Sequence, residues 1–262
     1  RKLSAIRKAD VQKLHANIGR DSGIYAANRL LSLLHIMFNK AIEWGWEGVN
    51  PAHGIKKFRE QSRERFLHGD ELPRFFKALA EEPNQTARDY FVTSLLTGAR
   101  AGNVKAMSWE QVNLERGTWT IPETKNGTSQ TIPLVPEMIE LLQRRKDGAE
   151  QGEYWVFPGT GRTGHLVEPK KAWARILEKA GIEDLRMHDL RRSLGSWQAA
   201  TGANLSIIGK TLNYKNVSTT AIYARLNIDP VRESMTKATS AMLEVGGVLK
   251  SDNVVEMKTT GN

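Results

Sequence analysis

The segment "MHDLRRSLGSW", residues 187–197, places His188 three residues before Arg191, and Arg192 follows directly. If the segment is helical, positions 188, 191 and 192 are spaced i, i+3 and i+4 and share one face. Such a group is usually part of a solvated helix surface. It could also bind a single anion, and the planar guanidinium group is well suited to a phosphate. Other parts of the chain must decide between the two interpretations.

The composition favours a nucleic-acid partner. The chain has 262 residues, a net charge of +9 and no cysteine, so it can form two modest domains but neither disulfides nor thiolate metal sites. Residues 1–66 hold 13 Lys and Arg against 6 Asp and Glu. This basic excess favours contact with nucleic acid over a merely soluble surface. The absence of a signal-like start and of a membrane-length apolar run predicts a cytoplasmic protein with no membrane partner.

The first quarter of the chain predicts a small helical domain, residues 1–56. Apolar residues recur at helical spacing from 24 to 46, a shorter helix is predicted around 10–18, and "WGWEGVNPAHGI" is typical of a helix exit. We expect Trp44 and Trp46 to anchor its core. The charged run "KKFREQSRER" then predicts a linker, residues 57–66, before a larger domain at 67–243 and a polar tail at 244–262.

The larger domain is predicted to be mainly α with one small antiparallel β-sheet. "TARDYFVTSLLTGAR" predicts a helix that ends in a left-handed cap at Gly98, which puts Arg100 just beyond a helix end. "TWTIPETKNGTSQTIPLV" alternates apolar and polar residues around Asn126 and Gly127. This pattern predicts a hairpin with Lys125 at its turn.

One motif matches the pattern of a dinucleotide-binding site, but its context argues against such a site. "GTGRTG", residues 159–164, matches G-x-G-x-x-G, but the following "HLVEPKK" does not open a helix on the third glycine, as a dinucleotide site requires. We therefore interpret it as a loop. The sequence also has no phosphate-binding loop motif and no metal-spaced His or Glu cluster, so we predict no cofactor.

Four dispersed segments together resemble the tyrosine recombinases, or phage-type integrases. They are "TGAR" ending at Arg100, "ETKNG" with Lys125, "HDLRR" with His188 and Arg191, and "STTAIYARL" with Tyr223. The resemblance covers residues 1 to about 243, because "AANRLLSLLHIMFNKAIEWGW" and "NPAHGI" are similar to that family's core-binding domain. It implies a two-domain, C-shaped clamp on double-stranded DNA, acting on the nucleoid in the bacterial cytoplasm.

The resemblance also implies a role for each residue in cleaving a DNA phosphodiester without metal or ATP. Tyr223 would be the nucleophile and would form a 3′-phosphotyrosyl bond. Arg100 and Arg191 would bind the non-bridging oxygens and stabilise the transition state. Lys125 would protonate the departing 5′ oxygen, and His188 would share proton transfer or position the phosphate. Taken singly, each could instead be an ordinary core, capping or solvated residue.

Three residues depart from the family pattern or lie outside it. Tyr214 stands where the family usually has His or Trp, about nine residues before the nucleophile; it keeps a hydrogen-bond donor without a titratable ring, and we include it among the catalytic residues. Asn103 replaces a frequent acidic residue, so it could orient Arg100 only as a neutral acceptor. Arg192 lies beyond the motif, and we expect it to bind a nearby phosphate or form an ion pair.

The segment "DPVRESMTKATSAML" predicts a last helix with an apolar stripe at Val231, Met235, Ala238 and Met242. The resemblance implies that this helix docks on a neighbouring protomer in a tetramer on paired sites, with an accessory DNA-bending protein as a further partner. The alternative is that the stripe packs on its own domain.

Three other functions remain open from the sequence. A type IB topoisomerase-like enzyme or a telomere resolvase would use the same phosphotyrosine chemistry, and strand exchange between two defined sites would separate a recombinase from both. A noncatalytic DNA-binding regulator would form no covalent adduct. The chain begins without an initiator methionine and without the N-terminal arm-binding domain of many integrases, so we expect it to be part of a longer protein.

Overall fold

The computed structural model describes residues 2–61, 63–124, 127–214, 220–223 and 229–246. The chain divides into two compact units, Arg1–Arg63 and Glu64–Asn262. Among the described residues, no helix is long and apolar enough to cross a membrane.

The first unit is built on two packed helices, α1 (Lys8–Asp21) and α2 (Ile24–Glu43), after a 3-10 turn at Leu3–Ala5. Val11, Leu31 and Ala52 form its small core. The prediction that Trp44 anchors this core is wrong, because α2 ends at Glu43 and the Trp44 side chain is 80% exposed. Trp46 does pack inward, with its ring centroid 5.6 Å from that of Phe38.

The predicted linker, residues 57–66, begins with a segment bound to the first unit. The buried Asn28 amide donates to the carbonyl of Phe58 at 2.9 Å and to the Glu60 carboxylate at 2.7 Å, and its oxygen accepts from the Phe58 N–H at 2.9 Å. The ring of His15 stacks on Phe58 at a centroid distance of 4.4 Å. These contacts order a run of charged sequence that buries little apolar surface.

The far end of the same segment is bound to the second unit. Arg65 forms an ion pair with Glu71 at 2.5 Å, and the Leu67 N–H donates to the Ser193 hydroxyl at 2.8 Å. The predicted linker is thus divided between the two units, each end being held by its own unit.

The second unit is mainly helical with one three-stranded antiparallel sheet in the order β1-β2-β3, which confirms the predicted fold class. The helices are α3 (Glu71–Ala80), α4 (Gln85–Thr97), α5 (Ala101–Lys105), α6 (Pro136–Asp147), α7 (Lys170–Ala180), α8 (Asp189–Ala200), α9 (Leu205–Thr211) and α10 (Asp229–Val245). The strands are β1 (Val112–Asn113), β2 (Thr118–Ile121) and β3 (Gln130–Pro133), and a 3-10 turn (Trp109–Gln111) precedes β1.

The sheet and helices enclose one large core. In the β2–β3 pair, Trp119 lies opposite Ile132, and both side chains are buried. Helices α4 and α8 pack together inside the unit. The "GTGRTG" stretch is a loop, as predicted: it lies between the bridged residues Pro158 and His165, and the next helix begins only at Lys170.

The turn after α4 has the left-handed cap that the sequence predicts. Gly98 has φ +59°, and a Cβ there would lie 2.8 Å from a methyl carbon of Leu194 on α8. Both the conformation and the close approach therefore require glycine. Arg100 follows this cap as the N-cap residue of α5, and the Gly98 carbonyl accepts from Arg191 on α8.

Candidate active site

Both arginines that the sequence predicts to bind phosphate, Arg100 and Arg191, contact the turn after α9, residues 212–214. Arg191, on α8, is buried; its Nη1 donates to the carbonyl of Gly98 at 2.5 Å, and its Nη2 donates to the carbonyl of Leu212. Arg100 donates from Nη2 to the carbonyl of Asn213 at 3.4 Å. Arg100 and Arg191, about ninety positions apart in the sequence, thus donate to neighbouring carbonyls of one short segment.

Tyr214 lies beside this pair. The Arg191 Cζ is 4.8 Å from the centroid of the Tyr214 ring, a cation–π contact. Burial lowers the pKa of Arg100, and the positive charge of Arg191 lowers it further. No carboxylate of the described chain forms an ion pair with Arg191, whose contacts are two backbone dipoles and a π face. A bound anion would relieve the repulsion between the two guanidinium groups.

Tyr223 lies in the same region but is buried, with a side chain only 1% exposed. It packs in a small cluster with Ile208 and Leu212, against which Tyr214 also packs. Its hydroxyl is buried without a hydrogen bond of normal geometry to a described residue. Burial raises the pKa of the Tyr223 phenol above its ordinary value of about 10, and the nearby Tyr214 phenol raises it further. Tyr223 is therefore protonated at neutral pH in this conformation.

Gly195 makes room for the Tyr223 ring. A Cβ at position 195 would lie 2.7 Å from the ring carbon Cζ, which no side chain tolerates without a shift. A glycine inside a helix costs about 1 kcal/mol relative to alanine, and here it permits α8 to contact the tyrosine ring. Gly195 is not among the residues predicted from the sequence, although an isolated glycine within a helical pattern is a usable signal.

His188 occupies the N-cap position of α8, one turn before Arg191, and part of its side chain is open to solvent. Partial burial of its ring lowers its pKa, and the positive charges of Arg192 and Arg191 lower it further. The lowered pKa favours the neutral imidazole, which is the form able to accept a proton.

Arg192 forms an ion pair, one of the two roles expected for it. Its Nη1 lies 2.5 Å from the Asp189 carboxylate, which is completely buried and also accepts from the Arg186 N–H at 2.9 Å. The Asn103 N–H donates to the Arg100 carbonyl at 2.8 Å, and the Asn103 side-chain nitrogen is buried with no partner among the described residues.

Lys125 lies outside the described residues, as does Asn126. Of the described residues on either side, the Gly127 N–H donates to the Thr124 carbonyl at 2.7 Å, and Gly127 has φ +68°. In the described ranges, no group of three or more His, Asp or Glu side chains is arranged to hold a metal ion.

The known proteins to which this chain is similar include integrases and a DNA recombinase. Residues 65–229 match the model of the phage integrase family. The chain is 27% identical to prophage integrase IntF of Escherichia coli strain K12 over 192 residues, and 34% identical to the shufflon-specific DNA recombinase of Escherichia coli over 166 residues. These matches cover 72% and 62% of this chain but only 41% and 40% of the two relatives.

Solved structures share the fold. A λ integrase dimer bound to a COC′ core site aligns with a TM-score of 0.69 and 19% identity, covering 86% of this chain and 66% of that one. A λ integrase tetramer bound to a Holliday junction aligns with a TM-score of 0.66 and 17% identity, covering 84% and 65%. The family model spans more than half of the chain and includes the residues that converge on the turn after α9. The chain belongs to the phage integrase family.

Proposed function

We propose that this chain supplies the DNA-binding and catalytic parts of a site-specific recombinase or integrase of a phage or another mobile element. The observation that carries the proposal is the convergence of Arg100 and Arg191 on the Leu212–Tyr214 turn, next to Tyr223. Two adjacent guanidinium groups suit a phosphodiester, and a tyrosine is the nucleophile that such a site would use.

The reaction needs no external energy source. The Tyr223 oxygen attacks the scissile phosphorus, and the bond from phosphorus to the 5′ oxygen breaks as a 3′-phosphotyrosyl bond forms. His188 accepts the tyrosine proton, and Lys125 gives a proton to the departing 5′ oxygen. Attack by a 5′ hydroxyl of another strand reverses these steps and releases Tyr223.

Arg100 and Arg191 stabilise the transition state. Negative charge builds on the non-bridging oxygens as the tyrosine attacks, and charge-assisted bonds from Arg100 and Arg191 strengthen at that stage; one such donor is worth about 3 kcal/mol. Tyr214 supports the Arg191 guanidinium with its ring, and its hydroxyl is a further donor for a phosphate oxygen. The buried Tyr223 hydroxyl must leave its apolar cluster to reach the phosphorus.

The proposed partner is double-stranded DNA of the bacterial nucleoid. The basic excess of residues 1–66 supports a sequence-independent grip on the phosphates. Self-association into a tetramer is proposed by analogy with the λ integrase tetramer. Met235 and Met242 on α10 are 65% and 73% exposed, which supports docking of this helix on a neighbour, although the side chain of Val231 lies outside the described residues. An accessory DNA-bending protein is a further proposed partner.

Covalent capture tests the proposal and identifies the target site in the same experiment. The protein is incubated with a pool of nicked duplexes with randomised centres, and DNA that survives denaturing washes on the protein is sequenced. We expect the parent to enrich one sequence family and to form an adduct on it, while Tyr223→Phe binds the same duplex and forms none. An equal adduct yield from Tyr223→Phe would contradict the nucleophile. Binding without any adduct from the parent would favour a noncatalytic regulator.

A further inference from the structure

Three successive backbone carbonyls, at the last residue of α9 and in the turn after it, each accept a hydrogen bond from a side chain of another element. The carbonyls of Leu212 and Asn213 accept from the two arginines of the candidate active site, on α8 and at the N-cap of α5. The Thr211 carbonyl accepts from the side-chain amide of Gln130, the first residue of β3, at 3.0 Å. The sheet thus supplies a third, neutral donor beside the two guanidinium groups.

The N–H groups of the same three peptide planes are also bonded. Those of Leu212, Asn213 and Tyr214 donate to carbonyls of α9 at 2.9, 3.2 and 2.9 Å. Because a peptide group is planar, a bond to its carbonyl and a bond to its N–H together fix its orientation. Successive planes share a Cα atom, so a change in the orientation of the first plane reaches the two carbonyls that hold the arginines.

Gln130 occupies a position where the strand pattern favours an apolar residue. Buried and exposed residues alternate along β3, and Gln130 lies on the same buried face as Ile132. Its partner on β2, Ile121, is also buried. A buried side-chain amide costs free energy unless it is hydrogen-bonded, so packing alone would favour an aliphatic side chain here. The bond to the Thr211 carbonyl accounts for the amide.

The helix that carries Arg191 holds Thr211 as well. The Gln198 side-chain amide on α8 donates to the Thr211 hydroxyl at 3.1 Å, and that hydroxyl donates to the Ile207 carbonyl at 3.0 Å. Positions 191 and 198 are seven residues apart and lie on one face of α8. Gln198 therefore holds the side chain of Thr211, and Gln130 holds its backbone.

We propose that Gln130 is a positioning residue for the arginine pair: its amide fixes the peptide group of Thr211 and so sets the two following carbonyls, which orient Arg191 and Arg100 for one phosphate. The proposal rests on the proposed function, in which this pair stabilises the transition state. A misplacement of about 1 Å in such a site can cost about a hundredfold in rate. Loss of the amide should therefore slow cleavage although both arginines are intact.

The test uses Gln130→Met, which keeps the length of the side chain and deletes the donor. The substrate is the nicked duplex recovered by covalent capture, made with either the natural scissile phosphodiester or a methylphosphonate, in which a neutral methyl group replaces one non-bridging oxygen. The methylphosphonate carries less negative charge throughout the reaction, so its cleavage depends less on the guanidinium groups. We expect Gln130→Met to cleave the phosphodiester about tenfold more slowly than the parent and the methylphosphonate within about twofold of the parental rate.

Three further variants calibrate the comparison. Arg100→Ala should lose more on the phosphodiester and should also recover on the methylphosphonate, because it removes the charge itself. Gln130→Asn, whose amide is one methylene shorter, should give the same pattern as Gln130→Met. Gln143→Met makes the same chemical change on α6, where Gln143 is exposed and bonds to Asp147, and should cleave both forms at the parental rate.

The ratio of the two cleavage rates separates positioning from stability, because a lower folded fraction slows both forms equally. Equal slowing of both forms by Gln130→Met, or parental cleavage of the phosphodiester, would overturn the positioning role and leave the proposed function in place. Equal slowing of both forms by Arg100→Ala would overturn the role of the arginine pair and the positioning role with it. If the parent forms no adduct on any duplex, the proposed function itself is wrong, and the positioning role falls with it.

Discussion

Two arginines of the second unit, the buried Arg191 and the partly buried Arg145, have similar surroundings but differ in whether a carboxylate pairs with them. The Arg145 guanidinium lies 5.0 Å from the centroid of Phe157 and donates to a backbone carbonyl. The Arg191 guanidinium lies 4.8 Å from the centroid of Tyr214 and also donates to backbone carbonyls. Only Arg145 has a counter-charge among the described residues, the buried carboxylate of Asp89 at 3.0 Å.

This difference in pairing assigns Arg145 a structural role and agrees with the proposed role of Arg191 in binding an anion. Arg145 has a counter-charge within the protein, the Asp89 carboxylate, which it shares with Arg144 and Arg88. Removal of that carboxylate would leave the Arg145 charge largely desolvated and unpaired. The charge of Arg191 is held by dipoles and a π face, which orient the guanidinium without neutralising it. In the proposed function, a bound phosphate would supply the missing counter-charge, and its binding energy would be available to the reaction.

The largest expected effect comes from making Arg145 resemble Arg191. Asp89→Asn keeps the side-chain shape and removes the counter-charge, so it should lower the free energy of unfolding by about 3 to 5 kcal/mol, measured by urea denaturation. The control is Asp70→Asn, whose carboxylate is 79% exposed beside Arg74 and should change stability by less than about 0.5 kcal/mol. Equal stability of Asp89→Asn and the parent would remove the distinction between the two arginines.

The next effect is catalytic. Arg191→Lys loses the planar fork that reaches two carbonyls and, in the proposed function, a phosphate. We expect single-turnover cleavage to fall by about a hundredfold or more. Arg145→Lys serves as the matched control, since it should lower the melting temperature while the folded fraction cleaves at the parental rate. Similar cleavage losses in both variants would contradict the assigned roles.

Tyr214 permits a finer separation of ring and hydroxyl. Tyr214→Phe keeps the ring under Arg191 and deletes the donor, so cleavage should fall by about ten to a thousandfold with DNA binding unchanged. Tyr214→His should match or exceed the parent if tyrosine is a compromise at this position. If the Phe variant cleaves as fast as the parent, the hydroxyl has no role at the phosphate.

A smaller effect is expected from Gly195→Ala. The added methyl group meets the Tyr223 ring and should destabilise the protein by about 1 to 3 kcal/mol, offset in part by better helix propensity. In a Tyr223→Ala background the clash with the ring is gone and the approach to a Leu212 methyl carbon at 2.9 Å remains, so the same substitution should destabilise the protein less than it does in the parent. Urea denaturation of the parent, the two single variants and the double variant measures the coupling between positions 195 and 223. Equal effects of Gly195→Ala in both backgrounds would contradict the contact between Gly195 and the Tyr223 ring.

The smallest effect concerns pH. The pKa of His188 is lower in the folded protein than its unfolded value of about 6.5, so the folded state binds fewer protons in that range. Stability contributed by the neutral ring is present above pH 6.5 and is lost as pH falls through the folded pKa. His188→Gln should therefore lose less stability than the parent between pH 7 and pH 5. Parallel pH profiles of the free energy of unfolding would rule out this contribution.

Some of the site could be predicted because it depends on local rules. The left-handed cap at Gly98 follows from glycine at a helix end, and it predicts the position of Arg100 beyond that end. The hairpin follows from alternation on both sides of a turn signal, and the register of Trp119 with Ile132 agrees with it. The motif order from Arg100 to Tyr223 identified the family because both residue types and spacing are present in the sequence.

Other features depend on contacts between distant segments, which no local pattern encodes. The sequence predicts Trp44 in a core, but α2 ends one residue earlier and leaves its side chain in solvent. The role of Gly195 depends on the close approach of the Tyr223 ring and of a Leu212 methyl carbon, which belong to segments further along the chain.

The sequence by itself determined which chemical groups this protein has and in what order: two arginines, a histidine and a tyrosine in an α-rich domain behind a basic helical segment. The tertiary structure decided which charges are neutralised. Arg192 is paired with the buried Asp189, whereas Arg191, its neighbour in the chain, turns to the carbonyls of Gly98 and Leu212. Successive residues on a helix point in different directions, so adjacent arginines meet different partners, and only packing determines which of them meets a carboxylate.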